Sequence, residues 1–226
     1  MQVEVLYQPE HAVARVSLAA QEALKAASSA LMAMSPGVQV TPPPRGGLLQ
    51  SAQRGPAERA AFSINTYQAG PQGAELWLAP ALPGDVQVLD LDDAAWLVPT
   101  LAYVAAEPTV TVTEKWGGAQ SFFPQDSLSM LRCAGPGRML VASYGAFHAL
   151  TLAAGESYAV ATGHLVALSA ALGYNIRVVD GYTAAAVGGI EWVADLRGPG
   201  RVLLQTRDPQ TLFHLFRCTE ERQCRQ

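Results

Sequence analysis

The stretch VARVSLAAQEALKAASSALMAM, running from Val13 to Met34, decides how this chain is read. Val13, Val16, Ala20, Leu24, Ala27, Leu31 and Met34 fall three or four positions apart, with Ala, Glu, Lys and Gln between them. Period and propensity alone describe an amphipathic helix. A later stretch, LTLAAGESYAVATGHLVAL from Leu150 to Leu168, contradicts that description. Val16, Leu18, Glu22, Leu31, Ala33 and Met34 return there, each 134 positions on, as Leu150, Leu152, Glu156, Leu165, Ala167 and Leu168. The later copy contains Thr151, Gly155, Tyr158, Val160, Thr162 and Gly163, a strand-and-turn composition. One unit written twice cannot be helix once and strand once, so Val13–Met34 is read as strands.

A third version lies between them. Val88-Leu89-Asp90-Leu91 leads through Trp96-Leu97-Val98 and Leu101-Ala102-Tyr103-Val104 to Val110-Thr111-Val112. Leu31 to Val40 and Leu101 to Val110 are each nine apart, which aligns this copy with the first; Ile176-Arg177-Val178 aligns with Val38-Gln39-Val40. The expected fold is all-β. It is a single domain over 1–226 built from three β pseudo-repeats, about 13–40, 86–112 and 147–178, sandwich-like or double-stranded β-helix-like. Two phrases, Gly135-Pro136-Gly137 and Gly198-Pro199-Gly200, each open an apolar run and read as structural type II turns. Pro and Gly punctuate the middle of the chain at short intervals, as in sandwiches and barrels. Pro209 opens a short C-terminal helix carrying Leu212, Phe213, Leu215 and Phe216.

Of the 226 residues, 50% are apolar and 15% charged, ample material for a core. The net charge of −4 disfavours a nucleic-acid partner. Positions 60 to 114 hold seven acidic residues and no Lys or Arg, −7 in all, so the remainder is +3. The ordinary meaning of such a segment is a solvated acidic face. Cys133, Cys218 and Cys224 are odd in number and lack a disulfide-framework spacing, which fits a reducing cytoplasm. The N-terminal residues show no secretory pattern, and no run is long and apolar enough for an integral membrane segment.

Several phrases together resemble a known family. They are Leu78-Ala79-Pro80 with Pro83-Gly84-Asp85, Tyr144-Gly145, Gly155-Glu156, Gly163-His164-Leu165-Val166-Ala167, and above all the closing Gly198-Pro199-Gly200-Arg201-Val202-Leu203-Leu204-Gln205-Thr206-Arg207. The chain resembles, from about Val16 to Thr206, the altered-inheritance-of-mitochondria family, number twenty-four. The resemblance implies a β fold of pseudo-repeats similar to the tryptophan RNA-binding attenuator proteins. For mitochondrial relatives it implies a role in inner-membrane organisation, and it brings no catalytic residues. The chain departs from the family at Val187 to Trp192 and at Ala20-Gln21-Glu22, where Gly-Glu turns are usual.

The chemistry-bearing residues are scattered. No Gly-x-Ser-x-Gly elbow or phosphate-cradling loop is present, and Ser143 stands in strand context. His11, His148, His164 and His214 are not paired at metal-binding spacing. His148 and His164 could meet across a sheet as a cupin-like metal site, but hydrogen-bonded structural histidines are the ordinary reading. His214, Cys218 and Cys224 form a loose set short of a zinc ligand group. Glu22 and Glu156, at equivalent repeat positions, suit carboxylates that accept backbone N–H groups in turns. Asp180-Gly181 reads as a hairpin turn. Trp77, Trp96, Trp116 and Trp192 read as core or interface anchors, with Lys115 the one cation beside them.

The expected protein is therefore a non-catalytic scaffold or interaction protein that self-associates, with no catalytic residues, metal or cofactor. A small-molecule binding module is the alternative, and a cupin-like metal enzyme comes third.

Overall fold

The computed structural model describes residues 1–43, 62–92, 94–114, 130–178 and 192–212. They form nineteen strands, all paired antiparallel. The leading strand is β1 (Gln2–Leu6). The first repeat comprises β2 (Val13–Leu18), β3 (Ala23–Ala27), β4 (Leu31–Met34), β5 (Gln39–Thr41), β6 (Ile64–Gln68) and β7 (Ala74–Leu78). The second comprises β8 (Val86–Asp90), β9 (Trp96–Pro99), β10 (Tyr103–Ala106), β11 (Thr111–Glu114), β12 (Met130–Ala134) and β13 (Arg138–Ala142). The third comprises β14 (Phe147–Leu152), β15 (Ser157–Ala161), β16 (Leu165–Ser169), β17 (Gly173–Val178), β18 (Trp192–Arg197) and β19 (Gly200–Gln205).

Val13–Met34 is thus three strands with a short 3-10 turn, Ser28–Ala30, before the last. Alternation is clearest in β2, where Ala14, Val16 and Leu18 are buried while Ser17 is exposed. The helical stripe fails at its third member, Ala20, which stands exposed in the turn next to Gln21, whose φ is 62°. Short strands interrupted by turns counterfeit a 3–4 spacing that no single element obeys.

The pairing scheme is identical in all three repeats. The sixth strand lies between the first and third, and the fifth lies between the second and fourth. Each repeat is therefore two three-stranded sheets facing each other, the double-stranded arrangement expected. The third strand carries a bulge at the same place each time, between Leu31 and Ala33, Tyr103 and Ala105, and Leu165 and Ala167. These bulges correct the alignment read from sequence. Leu31 corresponds to Tyr103, not Leu101; Val40 opposite Tyr67 corresponds to Val112 opposite Cys133, and to Tyr174 opposite Leu196. The repeats also extend past the windows expected, to their sixth strands at Leu78, Ala142 and Gln205.

Two seams join the repeats. β3 pairs with β10, and β9 with β16, so the second strand of one repeat meets the third strand of the next. The seams make two six-stranded sheets, β5-β6-β3-β10-β13-β8 and β11-β12-β9-β16-β19-β14. The remaining strands form β1-β2-β7-β4 and β15-β18-β17. One apolar cluster fills the first and second repeats and reaches Val166, Ala167 and Leu203 of the third. A second combines Leu97 and Met130 with the interior of the third repeat. The segments leading into the repeats lie side by side, His11 bridging Gly84 and Gly84 bridging Gly145 in parallel. A Cβ on Gly84 would stand 1.9 Å from the Ser143 carbonyl oxygen, so only glycine fits this crossing. That approach accounts for the Pro83-Gly84-Asp85 and Tyr144-Gly145 phrases.

The two Gly-Pro-Gly phrases join β12 to β13 and β18 to β19, but neither is a type II turn. Gly137 has φ 135° and Gly200 φ 158°, both far beyond the value of about +80° that turn requires. The Gly198–Pro199 bond is also cis, unlike Gly135–Pro136. Packing explains the departure: a Cβ on Gly137 would meet Thr109 Oγ1 at 2.6 Å, and Gly200 already belongs to β19, opposite Leu152. At the C-terminal end, 209–212 is helical, and Asp208 Oδ1 accepts the Gln210 N–H at 2.8 Å. The rest of that expected helix lies outside the described residues.

Candidate functional site

Where the repeats converge, the loop after β13 is tied to the end of β19. The Tyr144 N–H donates to Gln205 Oε1 and Gln205 Nε2 donates to the Gly163 carbonyl, both at 2.8 Å. His164 Nδ1 donates to the Gln205 carbonyl, also at 2.8 Å. Ser143 Oγ donates to the Gly145 carbonyl at 2.6 Å and accepts the Asp85 N–H at 3.3 Å. Ser143 lies just past β13 and is buried, its hydroxyl held by backbone groups. The cavity beside this knot measures ≈ 30 Å³, lined by Leu82, Leu101, Ala102, Thr162, Leu165 and neighbours. That is space on the scale of a single water, far below the several hundred Å³ of a ligand pocket. A broader, open depression of ≈ 700 Å³ lies over the β4–β5 and β6–β7 turns. Leu18, Ser35 and Gln72 line it together with Gly, Pro and Ala, and no charged side chain does.

The two glutamates sit as their spacing suggested. Glu22 Oε2 accepts the Ala19 N–H at 2.8 Å, and Glu156 Oε2 accepts the Ala153 N–H at 2.7 Å. Each closes the turn between the first and second strands of its repeat. Glu22 also pairs with the Met1 ammonium. That ammonium first, and the Ala19 N–H second, hold its carboxyl below the ordinary carboxylate value.

The histidines are engaged separately. His148 is exposed on β14 opposite Leu204, while the His164 ring is committed to the Gln205 carbonyl. His11 is exposed beside Gly84. Among the described residues, no three His, Cys, Asp or Glu side chains gather as metal ligands. Cys133 is buried on β12, and burial pushes its thiol up to about 12. Trp96 is buried, with the Arg201 guanidinium 6.0 Å from its ring centre; Trp77 donates to Glu75 Oε1 at 2.8 Å. Lys115, Trp116, Asp180, Gly181, His214, Cys218 and Cys224 lie outside the described residues.

The residues that sequence reasoning missed are at the two ends of the repeat array. β4 is the third strand of the first repeat and β15 the second strand of the last, and neither has a seam partner among the described residues. Met32 on β4 is 63% exposed, whereas its equivalents Val104 and Val166 are 2% and 0%. Met34 is 45% exposed, against 0% for Leu168. On β15 Tyr158 is 52% exposed, against 0% for Leu24 and 5% for Trp96. Two methionines and an alanine in a row could have drawn notice, but apolar residues mark core and interface alike. Gln205, a polar residue closing the apolar run Val202-Leu203-Leu204, carries no local signal of the hydrogen bonds it makes to Tyr144 and Gly163.

The comparisons with known proteins agree with this architecture. The family described as mitochondrial biogenesis AIM24 matches residues 3–207. An uncharacterised protein of Streptococcus pyogenes serotype M6 is 26% identical over 134 residues, covering 58% of this chain and 54% of its own length. The chain thus spans about half the length of that curated relative. A crystal structure of a Streptococcus pyogenes protein superposes with a TM-score of 0.77 at 17% identity, covering 96% of this chain and 99% of the other. At that identity the likeness concerns the fold.

Proposed function

The chain belongs to the mitochondrial biogenesis AIM24 family, and from that premise we propose that it is a non-catalytic β scaffold acting by self-association and protein contact. One observation carries this reading: the array ends in two uncharged strands whose apolar side chains are exposed where their counterparts are buried. Such edges are interaction surfaces, because unpaired backbone groups and apolar side chains are both satisfied when another strand is added. The polar groups at the convergence of the repeats support it as well, since they hold the backbone together and surround a cavity of only ≈ 30 Å³. The odd number of cysteines suits a reducing cytoplasm.

The open depression of ≈ 700 Å³ favours a second reading, a module that binds a small molecule. Native mass spectrometry after gentle desalting separates the two. The scaffold reading expects a multiple of the chain mass with no retained ligand. A monomer carrying a reproducible small mass would replace it with the second reading. Stoichiometric transition metal in elemental analysis would replace both with a metal-dependent function.

A further inference from the structure

The second and third repeats each carry an arginine at the same point of the sixth strand, and only the first of the two is neutralised. We infer that Arg201 anchors a binding site for a small carboxylate, completed by the hydroxyl groups of Ser169 and Thr151 beside the Trp96 ring. The second repeat supplies the template. There Arg138 Nε and Nη2 donate to Glu107 Oε1 at 3.0 and 2.9 Å, and the Arg138 N–H donates to Glu107 Oε2 at 2.9 Å. Nη2 also donates to the Met1 carbonyl at 2.6 Å, and Asp90 stands opposite on β8. One carboxylate thus bridges the main chain and the guanidinium of a single arginine, a strong charge-assisted arrangement.

Arg201 occupies the same place in the third repeat. It follows Gly200 as Arg138 follows Gly137, and it stands opposite Thr151 as Arg138 stands opposite Asp90. Leu168 faces Val202 as Ala106 faces Met139, so Ser169 corresponds to Glu107. The turns that follow agree: the Val110 N–H donates to the Glu107 carbonyl at 3.0 Å, and the Leu172 N–H to the Ser169 carbonyl at 3.1 Å. Both carboxylates beside Arg138 are therefore hydroxyls beside Arg201. Residues directly opposite in antiparallel pairs share a face, so Thr151, Arg201, Ser169 and Trp96 form one row across β14, β19, β16 and β9. Among the described residues no carboxylate pairs with Arg201, whereas Arg15, Arg138 and Arg177 have Glu4, Glu107 and Asp195. Arg201 is exposed yet held in place, its guanidinium 6.0 Å from the centre of the Trp96 ring.

The ligand's chemistry follows from what the third repeat lacks. A guanidinium fork matches a carboxylate, and hydroxyls can donate to it where Asp90 and Glu107 cannot. Ser169 Oγ accepts the Ala171 N–H at 3.4 Å, which leaves its own proton to donate. One cation and two hydroxyls complement one carboxylate, not an extended acidic surface. The site belongs to the sheet of the second seam and involves neither β4 nor β15, so it stands apart from the scaffold reading.

Arginine modification of the full chain by phenylglyoxal, mapped by peptide mass, tests the site. The probes are sodium acetate and sodium succinate, with ionic strength held constant by sodium chloride. Arg201 should react at least about tenfold faster than Arg138, whose fork is filled. Both probes should slow the reaction at Arg201 and leave Arg207 unchanged. Ser169→Glu rebuilds the Glu107 arrangement, so it should slow Arg201 to the rate of Arg138 and abolish protection by the salts. Thr151→Asp, at an exposed position on an edge strand, rebuilds Asp90 and should act in the same direction whether or not Ser169→Glu folds. Arg201 reacting as slowly as Arg138 in the parent overturns the open site. A rate at Arg201 that neither probe changes beyond chloride overturns the ligand, and so does protection by inorganic phosphate at lower concentration than by either carboxylate.

Discussion

The internal seams and the two free ends present the same strands in opposite circumstances. At Ala105 and Leu168 the third strand of a repeat is sealed by its neighbour, and both residues are fully buried. At Ala33 and Met34 the equivalent strand faces solvent. Local sequence hardly separates the two cases, since Tyr-Val-Ala-Ala, Leu-Val-Ala-Leu and Leu-Met-Ala-Met are all apolar. What differs is whether the chain supplies another repeat to cover the edge. Burial here belongs to position in an array: the same kind of apolar strand is buried where another repeat pairs with it and exposed at the end of the array.

This comparison breaks first if equivalent substitutions act alike. Ala105→Asp places a carboxylate in the first seam and should destabilise the fold by more than about 3 kcal/mol. Ala33→Asp should stay within about 0.5 kcal/mol in the dilute single chain. Urea denaturation of the two variants checks the contrast. Thiol chemistry gives the next largest difference. With its thiol pushed up to about 12, Cys133 should carry ~10³-fold less thiolate at pH 8 than an ordinary exposed cysteine. Alkylation of the dilute single chain followed by peptide mass mapping should find Cys133 protected and a cysteine introduced by Met34→Cys modified readily.

Truncation sharpens the comparison further. Leu168→Ala should cost about 2–5 kcal/mol through a cavity in the second core, whereas Met34→Ala should cost less than about 0.5 kcal/mol at dilution. Denaturant midpoints compared at constant slope measure both.

The smallest expected effect concerns pH. Glu22 has a folded value below the ordinary carboxylate value of 4.5, so its contribution is complete above that value and is lost as pH falls through the lowered one. Glu22→Gln should remove this contribution, about 1 kcal/mol or less given the exposure of the turn, and flatten the acid limb. A stability profile between pH 3 and 7 checks the sign.

Much of this organisation was legible in the residues. The 134-position recurrence of Val16, Leu18, Glu22, Leu31, Ala33 and Met34 revealed strands where helical spacing argued otherwise. It also placed Glu22 and Glu156 correctly in their turns. The middle copy was aligned two positions off, with Leu101 standing for Leu31 in place of Tyr103. A shift of two leaves every side chain on its own face of a strand, so an alternating pattern cannot detect it. Only the bulges, where two residues oppose one, set the register.

Composition, alternation and recurrence by themselves determined an all-β chain with an internal threefold repeat, because those depend on which face of each strand is apolar. Whether a given apolar strand lies in a core or at an open edge was decided only in three dimensions. That outcome depends on partners distant in sequence: β10 covers β3, and β16 covers β9, while among the described residues no strand pairs with the free side of β15 or of β4. Hydrophobicity records that a surface is to be buried, and only the assembled sheets show against what.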